Sequence, residues 1–154
     1  MKYSRINYQK MKEIKLKIVT PEKVLYEGMV ESVSFPTTEG EITVLPHHIP
    51  IISAVKAGEL KIKVSGKEEF FHVTRGVLEV DGQMMTLLTD AAERSDAIDE
   101  KRAQEAHERA KQIMAEKRTD IESYAEAVVQ LERALSRLKV VRKRKGAGRS
   151  PFNK

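Results

Sequence analysis

The side chains with the widest chemical range in this sequence are four histidines, His47, His48, His72 and His107. His47 and His48 are adjacent, and neighbours along a chain usually point apart, so a shared metal is not expected there. There is no cysteine, which removes thiolate ligands, thiol nucleophiles and disulfides. No Gly-x-x-x-x-Gly-Lys-Ser/Thr loop is present to cradle phosphates, and no Gly-x-Ser-x-Gly elbow or His-Glu-x-x-His pair. Catalysis by this chain alone is therefore not predicted. The remaining concentration of chemistry is cationic. Residues 139–154 carry Lys139, Arg142, Lys143, Arg144, Lys145, Arg149 and Lys154 and no acid. Without those seven the chain has 21 basic against 23 acidic residues, so its net charge of +5 belongs to one end. Such an end attracts any anionic surface.

A nucleic-acid binder of the single-strand type needs aromatic platforms among its cations. Aromatics make up only 5% of the chain, tryptophan is absent, and the basic end holds one aromatic, Phe152. Nucleic acid is accordingly not an expected partner. No apolar run approaches the roughly 18 residues of a membrane span, so direct membrane insertion is not expected either. The first residues are polar and lack the apolar core of a secretory signal. Met11 offers a second start, which makes the first ten residues dispensable, and residues 1–13 are read as an N-terminal extension ahead of the first strand.

Two periodicities divide the 154 residues. Ile14, Leu16 and Ile18 alternate with lysines, as do Leu60, Ile62 and Val64, and period two marks half-buried strands. Thr20-Pro21, Glu39-Gly40, Ser65-Gly66-Lys67 and Asp81-Gly82 punctuate the runs. About eight to ten short strands in residues 14–92 predict a β-sandwich or flattened barrel. Phe70, Val73, Val77 and Val80 are candidate core residues.

Beyond Asp90 no glycine appears before Gly146 and the period becomes helical. A first helix capped by Ser95 or Asp96 and ending near Arg118 carries Ala103, Ala106, Ala110 and Ile113. Thr119-Asp120-Ile121-Glu122 reads as a capping box for a second helix. That helix has Ile121, Tyr124, Val128, Leu131, Leu135 and Leu138 as its seam. So short a connection makes the two antiparallel neighbours, a hairpin over residues 93–141. The fold class is α+β: an N-terminal all-β sandwich followed by a C-terminal antiparallel two-helix hairpin. Burying alanines contributes far less than the ~1.5–3 kcal/mol of a buried leucine, so a weakly held, movable hairpin is expected. Residues 142–154 are expected as a disordered basic tail.

The stretch Glu39-Gly40-Glu41-Ile42-Thr43-Val44-Leu45-Pro46-His47-His48-Ile49-Pro50 resembles the epsilon subunit of bacterial and chloroplast ATP synthases. So do Thr20-Pro21-Glu22, Tyr26-Glu27-Gly28, Lys56-Ala57-Gly58-Glu59-Leu60 and Gly76-Val77-Leu78-Glu79-Val80. The resemblance extends in order over about residues 14–140. It implies a non-catalytic rotor subunit on the cytoplasmic face of the bacterial plasma membrane. Its expected partners are the gamma subunit, the c-ring, and the alpha and beta subunits of the catalytic head. The family's ring-touching loop maps onto Glu41 and His48, whose side chains suit charge-assisted hydrogen bonds. Equally, both residues suit an ordinary solvated turn.

Ile98-Asp99-Glu100-Lys101-Arg102-Ala103 matches the motif with which some family members bind ATP. The resemblance extends the implied nucleotide site to Glu93, Ile98, Asp99, Arg102, Arg109, Arg133 and Arg137, with ATP as a regulatory ligand and no obligatory cofactor. Arg102 and Arg109 share a flank of the first helix, and Arg133 and Arg137 share a face of the second. Four guanidinium groups suit a triphosphate. The same arginines also suit a solvated face paired with glutamates, and Asp99 suits a first-turn acid. In the family, an opened hairpin extends into the catalytic head and blocks hydrolysis. The basic end is longer here than in relatives, and the expectation is that it strengthens inhibition, so that deleting 142–154 raises hydrolysis. A free-standing ATP sensor is the other reading of the motif.

Overall fold

The computed structural model describes residues 12–147; the first eleven residues and the last seven fall outside the described part. Ten strands come first. They are β1 (Ile14–Val19), β2 (Val24–Val30), β3 (Ser32–Thr37), β4 (Gly40–Val44), β5 (Ile51–Val55), β6 (Gly58–Val64), β7 (Lys67–Val73), β8 (Gly76–Val80), β9 (Met84–Thr89) and β10 (Ala92–Arg94). Two helices follow, α1 (Glu100–Glu116) and α2 (Ile121–Ala147). The strands form two five-stranded sheets, ordered β2-β1-β9-β8-β5 and β10-β7-β6-β3-β4. Every pairing is antiparallel except β1 with β9. The sandwich followed by a hairpin of helices is the architecture that the two periodicities predict.

Alternation sends Leu16, Ile18, Val33, Phe35, Leu60, Ile62, Phe71, Leu78, Met85 and Leu87 into the space between the sheets, where each is fully buried. Register follows from the turns. Ser65 and Gly66 take φ of 50° and 77°, the left-handed pair that joins β6 to β7 without splaying their twist. Asp81 turns β8 into β9 by accepting the amides of Gln83 and Met84 at 2.8 and 2.7 Å. Those two backbone bonds hold its carboxyl below the usual value.

One of the core assignments differs, and another is met on the far side of its strand. Val77 points outward, 45% exposed, because Leu78 and Val80 take the inward positions of β8. Phe70 is buried, but on the opposite side of β7 from Phe71, against the helices. β7 is therefore covered on both faces, by the sandwich core and by α2.

The helices also depart from expectation in their ends and their seam. Asp99, rather than Ser95 or Asp96, caps α1, its carboxylate accepting the Arg102 amide at 3.1 Å. Ser95 is unavailable because its amide extends the β7–β10 pairing, donating to the Phe70 carbonyl at 2.8 Å. At α2 the cap is Asp120, which accepts the Ser123 amide at 3.2 Å and its hydroxyl at 2.7 Å. The Thr119–Glu122 box is thus displaced by one residue, since the cap must directly precede the first helical residue.

The buried seam between the helices consists of Ala103 and Ala110 facing Ala127, Ala134 and Leu138. Ile121, Tyr124 and Leu135, expected in that seam, are exposed at 84%, 38% and 47%. Small side chains win the contact because they let the two backbones come close. The larger ones are left on the flank. Finally, α2 runs on to Ala147, so residues 142–147, expected as disordered tail, are helical.

Candidate functional site

The hairpin lies on the outer face of the second sheet, and its contact with that face is narrow. Phe70, Ile98, Val140 and Val141 make the apolar part. The rest is polar. Arg137 donates to Glu93, Lys143 donates to Glu59 at 2.7 Å, and Arg144 donates to the Ser95 carbonyl at 2.9 Å. Lys145 pairs with Glu100 at the start of α1. Glu59's hydrogen bond is the main cause that raises the Lys143 pKa, with the charges of Glu41 and Glu68 adding to it. Those pairs hold best at low ionic strength, because screening weakens partly exposed charges.

Glu93, Ile98, Asp99, Arg102 and Arg137 surround one cleft of about 200 Å³, together with Ala97 and Ala103. Four stretches of the chain supply them, Arg102 and Ala103 coming from the first turn of α1. β10 carries Glu93, the segment leading to α1 carries Ile98 and Asp99, and α2 brings Arg137 across. Ile98 is buried and packs with Phe70, which fixes the turn that presents Asp99. Arg133 opens on a neighbouring cleft of about 310 Å³, also lined by His72, Thr74, Asp90, Glu93 and Arg137. The Glu93–Arg137 ion pair is thus a wall common to both. Arg109 lies elsewhere, on the outer stripe of α1 with Lys101, Gln104, Glu105, Glu108 and Gln112. The structure therefore gathers six of the seven residues implied for nucleotide around one joint and leaves Arg109 aside.

Glu41 is exposed on β4, opposite Pro36. Its charge acts on Lys143, so it lies toward the basic end of α2. His48 sits in the loop between β4 and β5, where its Nδ1–H donates to the Ile49 carbonyl at 2.8 Å. That loop exposes Leu45 at 56% and Ile49 at 75%. A second exposed apolar feature crosses the other sheet. Val24, Val19, Leu88, Val77 and Ala54 stand side by side in register on its outer face.

His72 is the residue that sequence reasoning missed. It is buried beneath α2, its Nδ1 3.0 Å from Ser136 Oγ, and burial is the first cause that depresses its pKa to about 4. The signal was present: His72 shares a face of β7 with Phe70, so a helix covering one covers both. Among the described residues no group of three or more histidine, aspartate or glutamate side chains is placed to hold a metal ion. No helix there is long and apolar enough to cross a membrane.

Comparison with known proteins matches this architecture half by half. Residues 13–95 match the beta-sandwich domain of the ATP synthase delta/epsilon chain, and residues 96–142 match its long alpha-helix domain. The chain is 43% identical over 135 residues to the ATP synthase epsilon chain of Dehalococcoides mccartyi, covering 88% of this chain and 96% of that one. It is 43% identical over 131 residues to the epsilon chain of Syntrophobacter fumaroxidans, covering 85% and 97%. Among solved structures, a chain of the Euglena gracilis mitochondrial ATP synthase (OSCP, F1 and c-ring) superposes with a TM-score of 0.71 at 21% identity, covering 79% of this chain and 76% of that chain. A chain from the central stalk and c-ring of the Tetrahymena thermophila enzyme gives 0.51 at 16% identity, covering 85% and 95%. The sandwich, the hairpin and these relatives agree: the chain belongs to the ATP synthase delta/epsilon family.

Proposed function

We propose that the chain is the epsilon-type, non-catalytic subunit of the central stalk of an ATP synthase, and that its hairpin is an ATP-sensing brake on hydrolysis. In this reading it is a peripheral subunit on the cytoplasmic face of the membrane, coupling ion transport to ATP synthesis. The apolar row Val24–Val19–Leu88–Val77–Ala54 suits the gamma subunit, since a contiguous exposed apolar strip favours a protein partner. The loop bearing His48, with exposed Leu45 and Ile49, suits the c-ring, and Glu41 adds a carboxylate on the preceding strand. The alpha and beta subunits are the partners of an extended hairpin.

The observation that carries the ATP reading is the meeting of Glu93, Ile98, Asp99, Arg102 and Arg137 at the joint between sandwich and hairpin. A cleft of 200 Å³ is below the ~300–1,000 Å³ of most ligand sites. A triphosphate that draws Arg137 from Glu93 removes the wall shared with the neighbouring cleft and brings Arg133 into the same space. Arginines from both helices then bind one polyanion, which ties the hairpin down. ATP bound only to the docked form shifts the hairpin toward that form by its differential affinity. Calorimetric titration of ATP into the whole chain tests this. Saturable heat is expected, with at least a tenfold loss of affinity in Arg102→Ala. Equal heats from the two, or none from the parent, remove the ATP-sensing role and leave the stalk assignment standing.

A further inference from the structure

His72 ties the hairpin to the sandwich through a neutral imidazole. It sits on the hairpin face of β7, flanked in register by Glu59 of β6 and Glu93 of β10, and is only 2% exposed. Its Nδ1 meets Ser136 Oγ of α2 at 3.0 Å, while Nε2 is buried with no partner at hydrogen-bond distance, and the Gly58 backbone is the one neighbour that favours the charged ring. Most of the charged groups around it are engaged, although Glu59 Oε2 is buried without a hydrogen-bond partner. Lys143 of α2 takes Glu59, Arg137 of α2 takes Glu93, and Arg75 takes Asp90 on the turn after β9. Arg133 of α2 lines the same cleft as His72 and adds a further cation. Each flanking carboxylate thus has a cation on one of its oxygens, and a proton on His72 places another positive charge beside Arg137 and Arg133. A buried cation in that setting is strongly disfavoured unless it is exposed or paired.

We propose that His72 is a proton-operated latch: protonation of its imidazole releases α2 from the sandwich. The inference deepens the reading of the hairpin as a movable brake and makes acidification a second input besides ATP. Burial first, then Arg137 and Arg133, hold the His72 pKa at about 4 in the docked chain, against an ordinary value of 6.5 once α2 has left. A depressed histidine pKa stabilises the docked form fully above pH 6.5, and that contribution is lost as pH falls from 6.5 toward 4. Between pH 7.5 and 5.5 the ratio of docked to released hairpin should fall about tenfold.

The test uses the whole chain, whose lack of cysteine allows a clean label pair at Glu79→Cys and Glu122→Cys, both exposed positions. Spin-label distances are recorded at pH 7.5 and 5.5, in the parent and in His72→Gln, with a high-salt arm at pH 7.5. The expected result is a released population growing about tenfold at pH 5.5 in the parent, with no such growth in His72→Gln. An equal acid response in both, or none in the parent, overturns the latch. Release by salt without release by acid removes the latch and leaves a movable hairpin; release under neither condition removes both. Should His72→Gln not dock at pH 7.5, the imidazole resonance of the parent decides. A midpoint well below 6.5 with concurrent release supports the latch, and a midpoint near 6.5 with α2 still docked sinks it.

Discussion

Asp99 performs two tasks with one carboxylate. It caps α1 by accepting the Arg102 amide, and it lines the cleft that gathers Glu93, Arg102 and Arg137. The tasks separate by substitution because asparagine caps a helix about as well as aspartate but carries no charge. Asp99→Ala is expected to cost about 1 kcal/mol of hairpin stability, read as faster amide exchange in the first turn of α1. Asp99→Asn should keep that protection while changing ATP affinity. If Asn lowers protection as much as Ala, charge at the helix end matters more than the hydrogen bond.

Across elements, the alanine seam decides how the helices meet and how firmly. Ala103, Ala110, Ala127 and Ala134 are all buried at 4% exposure or less, so α1 and α2 approach through methyl groups. A larger side chain there wedges them apart. Ala110→Leu is expected to destabilise the hairpin by about 1–3 kcal/mol, the usual cost of overpacking. The loss should be confined to α1 and α2, since neither residue nor seam touches the sandwich core. Differential hydrogen exchange by segment checks this: faster exchange in both helices and unchanged exchange in β1, β8 and β9. Exchange that quickens throughout would mean that the two halves unfold as one.

For the whole molecule, the docked hairpin rests on one apolar knot of four side chains and on ion pairs from the far end of α2. Lys143 holds Glu59 of β6 and Arg144 holds the Ser95 carbonyl, while Lys145 pairs with Glu100 within the hairpin. In the docked chain these cations serve the closed state. Lys143→Gln is therefore expected to favour release, and with it to lower ATP hydrolysis by the assembled synthase. The sequence alone suggested the other sign, with the basic end strengthening inhibition through contacts in the catalytic head, so that its removal raises hydrolysis. The measured direction tells which contact dominates. Exposed ion pairs are worth little singly, typically under about 1 kcal/mol, and Lys143 is half exposed although Glu59 is nearly buried, which suits the proposed opening of the joint.

The sandwich followed by a hairpin could be read from the sequence because period two and period 3.6 report local geometry: Ile14, Leu16 and Ile18 must share a face whatever they pack on. The Glu-Gly-Glu and Leu-Pro-x-His signals, and the Asp99–Arg102 spacing, were equally local. Tertiary structure alone decided the rest. Whether Leu135 or Ala134 enters a helix–helix seam depends on how closely two backbones approach, which no single helix encodes. Whether Arg109 joins Arg137 depends on which side α2 comes down, and whether residues 142–147 stay helical depends on partners such as Glu59, 84 residues from Lys143 in sequence. His72 became a buried joint for the same reason: burial is a property of what lies above a strand, and the strand does not specify its cover.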